Sequence, residues 1–117
     1  MIEKFGIGID VVNVDRFSSK FFFDNIEFYK KIFTQNEIDY CNKFKDPYTH
    51  FAGKFALKEA VIKALNDKLD FLEIEIFYQN NSPYVKLAKY PNQISKSSIS
   101  HENNVAIAVF LIEIPFT

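Results

Sequence analysis

The chain has 117 residues, 48% of them hydrophobic and 25% charged, with a formal net charge of -1 at neutral pH. That length fits one domain spanning residues 1–117, the hydrophobic fraction excludes disorder, and the lone Cys41 excludes an internal disulfide framework or a cysteine-rich zinc site. The near-balanced charge argues against a nucleic-acid binder, which normally carries a marked basic excess.

Met1-Ile2-Glu3-Lys4-Phe5 shows no basic n-region, apolar h-region or small-residue cleavage site, so a secretory signal is not expected. The longest continuous apolar stretch, Val105 to Ile112, is far too short to span a membrane. The expectation is a soluble cytoplasmic protein. Residues 5 to 12 alternate as a strand, with Phe5, Ile7, Ile9 and Val11 on one face and Gly6, Gly8, Asp10 and Val12 on the other. Residues 15 to 33 are rich in aromatics and read as helical in pieces, with Phe21-Phe22-Phe23 read as core or, alternatively, as an apolar contact for a partner. Thr34-Gln35-Asn36-Glu37 reads as a capping box opening a short helix that Asp46-Pro47 ends.

The longest helical pattern runs from His50 to about Asn66. Phe71 to Tyr78 and Tyr84 to Lys89 read as the strands of a hairpin turned at Asn80-Asn81-Ser82-Pro83. A polar passage around Pro91 leads to Ser97-Ser98-Ile99-Ser100 and a turn at His101-Glu102-Asn103-Asn104. Val105 to Ile114 forms the final strand. The sum is an α+β fold, a mostly antiparallel sheet packed against a long central helix.

Two carboxylates stand where a carboxylate is costly. Glu59 lies on a helix that is apolar nearly all round, in a face made by Ala52, Phe55, Ala56, Ile62, Lys63 and Asn66. The bland explanation is an i,i+4 ion pair with Lys63. Asp10 sits mid-strand beside Gly6 and Gly8, where glycine marks the close approach of a ligand or another backbone. Its bland explanation is a strand-end Asp bonded to a turn. Together the two could share one hard divalent cation completed by waters and phosphate oxygens, with Lys63 facing the same phosphates. The final strand is apolar on both faces, which implies burial on both sides by helices or by another subunit.

Four segments resemble one family. Gly6-Ile7-Gly8-Ile9-Asp10, Phe33-Thr34-Gln35-Asn36-Glu37, the helix from Phe51 to Leu65 with its Lys58-Glu59-Ala60 core and Lys63, and Ser98-Ile99-Ser100-His101 are similar in order and spacing to motifs of the bacterial holo-[acyl-carrier-protein] synthases, the small 4'-phosphopantetheinyl transferases. The resemblance implies transfer of the 4'-phosphopantetheine arm of coenzyme A to a serine of apo-acyl carrier protein, releasing adenosine 3',5'-bisphosphate. It implies Mg²⁺ held by Asp10 and Glu59, and Lys63 neutralising phosphate charge. The base that activates the serine is Glu59 or a metal-bound water that it polarises. It further implies His101 beside the coenzyme phosphates, Lys54 and Lys58 near the adenosine phosphates, and Arg16 in contact with the acidic carrier. Family members of this length are homotrimers that bind the coenzyme between subunits. Without the resemblance, His101 reads as a turn histidine, and the chain as a non-catalytic binding module or an inactive relative kept for assembly.

Overall fold

The computed structural model describes residues 4–114. Met1 to Glu3, part of the segment read above for a targeting signal, lie outside the described residues, as do residues 115–117. In chain order the elements are β1 (Phe5–Asn13), α1 (Asp15–Ser18), α2 (Ile26–Lys30), α3 (Gln35–Cys41), α4 (Pro47–Leu65), β2 (Ile74–Gln79), β3 (Ser82–Leu87), β4 (Ser95–Glu102) and β5 (Val105–Glu113). Short 3-10 turns occupy Phe22–Asp24 and Phe71–Glu73. The strands form an antiparallel sheet in the order β1-β5-β4 and a separate β2–β3 hairpin.

The tip of that hairpin is shorter than the four-residue turn expected from sequence. Gln79 pairs with Ser82, which leaves only Asn80 and Asn81 to reverse the chain. Both have positive φ, 51° and 64°, the conformation a tight two-residue turn demands and asparagine tolerates. In the two-residue β4–β5 turn only Asn103 has positive φ, 53°. That turn starts later than expected, because His101 and Glu102 remain in β4, paired with Ala106 and Val105.

Helix α4 begins three residues before the expected His50. Asp46 and Pro47 start this helix instead of ending the one before it. The Asp46 side chain accepts the Tyr48 N–H at 3.1 Å and the Thr49 hydroxyl at 2.9 Å, and Pro47 fills the first helical position, where its missing N–H costs nothing. Asn66 ends the helix in the left-handed conformation. The Thr34–Glu37 capping box is formed as the sequence predicts.

Helix α4 lies across the inner face of the three-stranded sheet. An Ala52, Ala56, Ala60 and Ala64 stripe, four residues apart and buried, gives it a flat side. Gly6 and Gly8 of β1 meet that side so closely that a Cβ on either would collide with the carbonyl oxygens of Ala64 and Ala60. Ala106, Ala108, Phe110 and Ile112 complete the inner face and are almost fully buried. On its other flank α4 packs Phe51 and Phe55 into an aromatic cluster with Phe17, Tyr29 and Phe33, ring centroids 4.7 to 5.7 Å apart. Phe22 joins this core, but Phe21 and Phe23 are 55% and 69% exposed, so only the middle residue of that triplet is core.

The outer face of the sheet is uncovered. Phe5, Ile7, Ile9 and Val11 of β1, which alternate with the glycines, are 46 to 68% exposed, and Val105, Ile107 and Leu111 of β5 extend the apolar surface. The two faces expected of β5 are thus both apolar, but helix covers only one.

Gly8→Ala is expected to cost about 3 kcal/mol or more, because α4 must move away from β1 to admit a methyl group. Urea denaturation measures this, and an unchanged midpoint would contradict the close approach.

Candidate active site

The contact between β1 and α4 decides where the charged side chains meet. Asp10 stands two residues beyond Gly8 on the inward side of β1, opposite Ala108, so it projects toward the helix and not into a terminal turn. Lys63 rises from the last turn of α4, and its Nζ donates to Asp10 Oδ1 at 3.0 Å and to the Ile9 carbonyl at 3.0 Å. The Asp10 side chain is 16% exposed and that of Lys63 54%, so the pair sits at the rim of the core and is open to solvent on the lysine side. Glu59 is one turn earlier on the same side of α4 and is half-buried. Burial, and then the negative charge of Asp10, push its carboxyl above the ordinary range, against the pull of Lys63 and Arg16.

This overturns the bland reading of the helix. Among the described residues the ion pair made by Lys63 is with Asp10 across two elements, not with Glu59 along one. Among the described residues Glu59 makes no ion pair of its own and feels the negative charge of Asp10, a condition that a cation would relieve. Two carboxylates suit a hard divalent ion that keeps most of its oxygen ligands from water and phosphate. Among the described residues no cluster of three or more His, Cys, Asp or Glu side chains forms, so any such ion would need the ligand's oxygens to complete its shell.

Two further predicted site residues flank this center. The Arg16 guanidinium, on α1 just after β1, lies 5.2 Å above the Phe55 ring, one turn before Glu59. His101 is exposed on β4 and lies against α4 at Gly53, where a Cβ would stand 2.9 Å from its Nε2. Gly53 is six residues before Glu59, about 9 Å along the helix.

The chain matches the family model described as the 4'-phosphopantetheinyl transferase superfamily over residues 6–110. It is 40% identical to the holo-[acyl-carrier-protein] synthase of Thermodesulfovibrio yellowstonii over 96% of this chain and 99% of the relative. The chain belongs to the holo-[acyl-carrier-protein] synthases of that superfamily. A second relative of the same name, from Caldicellulosiruptor saccharolyticus, is also 40% identical, over 93% of this chain and 96% of its own length. The fold agrees. The Helicobacter pylori holo-[acyl-carrier-protein] synthase in complex with coenzyme A superposes with a TM-score of 0.79 at 34% identity, covering 92% of this chain and 99% of that one. The Bacillus anthracis synthase, in complex with CoA (3',5'-ADP), gives 0.80 at 29% identity over 93% of this chain and 96% of that one.

Membership in this synthase family does not make every motif lysine a ligand. Lys54 and Lys58, expected near the adenosine phosphates, are 1% and 0% exposed. The Lys58 ammonium donates to Glu37 Oε1 at 2.7 Å and to the carbonyls of Ile32 at 2.8 Å and Phe71 at 2.9 Å, which uses all three of its protons. Glu37 in turn accepts the Thr34 and Ile76 N–H groups. Lys54 donates to the Ile76 carbonyl at 3.0 Å and lies between the rings of Tyr40 and Tyr78, 4.5 and 4.9 Å from their centroids. Both lysines tie the β2–β3 hairpin to the helices. Burial is the physical reason they do not reach a surface ligand. The sequence reading also missed Gly53, although a glycine inside a helix, which costs about 1 kcal/mol against alanine, calls for a steric reason.

Glu59→Gln is expected to raise the melting temperature of the ligand-free protein at neutral pH. The Glu59 carboxyl is raised in the folded state, so its ionised form costs stability above that raised pKa. The cost disappears as pH falls below the unfolded value, so the difference between variant and parent is expected to vanish in mild acid. Thermal melts at both pH values check the sign.

Proposed function

We propose that the chain transfers the 4'-phosphopantetheine arm of coenzyme A to a serine hydroxyl of apo-acyl carrier protein, releasing adenosine 3',5'-bisphosphate, in a Mg²⁺-dependent reaction. The observation that carries this reading is the convergence of Asp10, Glu59 and Lys63 at one rim of the β1–α4 contact, in a chain of this family.

A magnesium ion held by Asp10 and Glu59 would neutralise charge on the coenzyme diphosphate and on the leaving phosphate. Lys63, solvent-facing at its free end, is placed to turn from Asp10 onto the same phosphates and hold them. Glu59, or a water that it polarises, would take the serine proton as the serine oxygen bonds to phosphorus and the diphosphate bond breaks. His101, against Gly53, would bind a second phosphate of the coenzyme. Arg16, exposed on α1, would meet an acidic group of the carrier. Lys54 and Lys58 have no part in this scheme beyond holding the scaffold.

The uncovered face of the sheet bears on assembly. A run of β1 and β5 side chains this apolar supports a homotrimer in which copies of the chain cover one another's sheets and enclose the coenzyme between them. No helix among the described residues is long and apolar enough to cross a membrane, in keeping with a cytoplasmic role.

Mass spectrometry of apo carrier protein incubated with the chain, coenzyme A and Mg²⁺ is expected to detect the phosphopantetheine adduct. Asp10→Ala and Glu59→Ala are each expected to remove it while leaving the thermal melt cooperative, and turnover retained in both would overturn the metal assignment. Coenzyme A is expected to raise the melting temperature more with Mg²⁺ than without, with a stabilisation of about 2.7 kcal/mol at a hundredfold excess over Kd. A shift indifferent to the metal would favour a plain binding module.

Arg16→Glu is expected to raise KM for the carrier protein more than for coenzyme A. Steady-state kinetics with each substrate varied in turn reads the difference, and equal effects would refute the carrier contact.

A further inference from the structure

Helix α4 carries a second histidine that the scheme above leaves unused. His50, in the first turn, stacks on Phe44 with ring centroids 3.7 Å apart and planes 18° from parallel. Tyr40 closes one side edge-on at 6.2 Å. The His101 ring closes another, 6.3 Å away and inclined by 62°. Gly53, three residues beyond His50 and on the same side of the helix, leaves room for His101 to lie against α4. Neither imidazole has a hydrogen-bonding partner among the described residues. Two imidazoles are therefore held side by side, free to bind a common partner.

We propose that His50 is a second imidazole of the anion site at His101, and that a coenzyme phosphate arriving there is bound together with a proton taken up by the pair. This rests on the reading that His101 meets a coenzyme phosphate. The charged and titratable groups around His50 favour it. Asp46, at the start of α4, has both carboxylate oxygens committed to the helix N-terminus and pairs with neither histidine. Lys54, one turn along, adds positive charge from the helix, and His101 adds it from β4. Tyr40, on α3, stays neutral because burial raises its hydroxyl. Burial first, and then His101, push the His50 imidazole below its ordinary value, against the opposing pull of Asp46. The first turn of a helix also disfavours a cation. In the ligand-free chain His50 is therefore neutral at neutral pH. A phosphate dianion reverses the balance, since its charge stabilises an imidazolium on either ring.

Titration calorimetry of the full chain with coenzyme A, in buffers of different ionisation enthalpy at about pH 6.5 and 7.5, measures the protons taken up. The parent chain is expected to take up protons on binding and to bind more tightly at the lower pH. His50→Phe keeps a ring on Phe44 but cannot titrate, and is expected to lose about half of the uptake and most of the pH dependence of Kd. His50→Gln, neutral and polar, is expected to behave the same way, so a packing defect in one variant does not decide the result. Uptake and pH dependence unchanged in both variants would overturn the proposal. If His101→Ala weakens coenzyme binding while the His50 variants keep full uptake, the inference fails and the phosphate reading stands. If His101→Ala leaves Kd and uptake untouched, the phosphate is not at His101 and both fail.

Discussion

The arrangement depends on one steric constraint, the contact of β1 with the flat side of α4. Two strand residues without a Cβ and a helix side of alanines bring two backbones together more closely than ordinary side chains allow. A glycine inside a strand weakens it, so Gly6 and Gly8 make the strand intrinsically poorer. What that cost secures is position. Asp10, two residues further along the same side of β1, reaches the turn of α4 that carries Glu59 and Lys63. A bulkier strand would hold the helix away and separate the carboxylates. The spacing of the charged site is therefore set by the packing of uncharged residues.

A second constraint holds the opposite flank of the helix, and it is electrostatic. The Lys58–Glu37 pair is wholly buried, with side chains 0% exposed on both partners. A buried ion pair is not stabilising by its charges alone, because both ions give up hydration to form it. Here every proton of Lys58 is bound, and the two Glu37 oxygens accept Thr34 and Ile76 besides. The pair ties α4 to four segments: the residues just after α2, the start of α3, the 3-10 turn before β2, and β2 itself. The helix is clamped on one side by packing and on the other by this network. Between the two it has little freedom to rotate, and rotation would move Glu59 relative to Asp10.

Much of this could be read from the residues, and the errors have physical causes. The strand at residues 5 to 12, the capping box at Thr34, the long helix and the two-faced β5 were all visible because alternation and capping are local. The start of α4 is ambiguous in sequence because Asp-Pro can end one helix or begin the next, and only the hydrogen bonds that Asp46 accepts distinguish the two. The lysines differ from expectation for another reason. At 100° per residue, Lys63 lies about 180° around the helix from Lys54 and about 140° from Lys58. Three lysines on one helix thus face two different environments, and a motif that names all three hides the distinction. Nothing local reveals that Glu37 is buried against β2, where it accepts the N–H of Ile76, 39 residues further along the chain. The role of Gly53 is likewise nonlocal, since it depends on where β4 crosses the helix.

The remaining asymmetry is in β1 itself. One side of the strand is built for contact with a helix and carries the acidic site residue; the other presents four large apolar residues to solvent. Solvation alone disfavours such a face, and β1 cannot turn it inward without losing the glycine side from the helix, because successive residues of a strand point to opposite sides. The same nine residues must therefore serve two surfaces at once. Any partner that covers Phe5, Ile7, Ile9 and Val11 presses on the strand that positions Asp10. Covering that face and positioning Asp10 are therefore coupled, because the exposed apolar side and the carboxylate alternate along one strand.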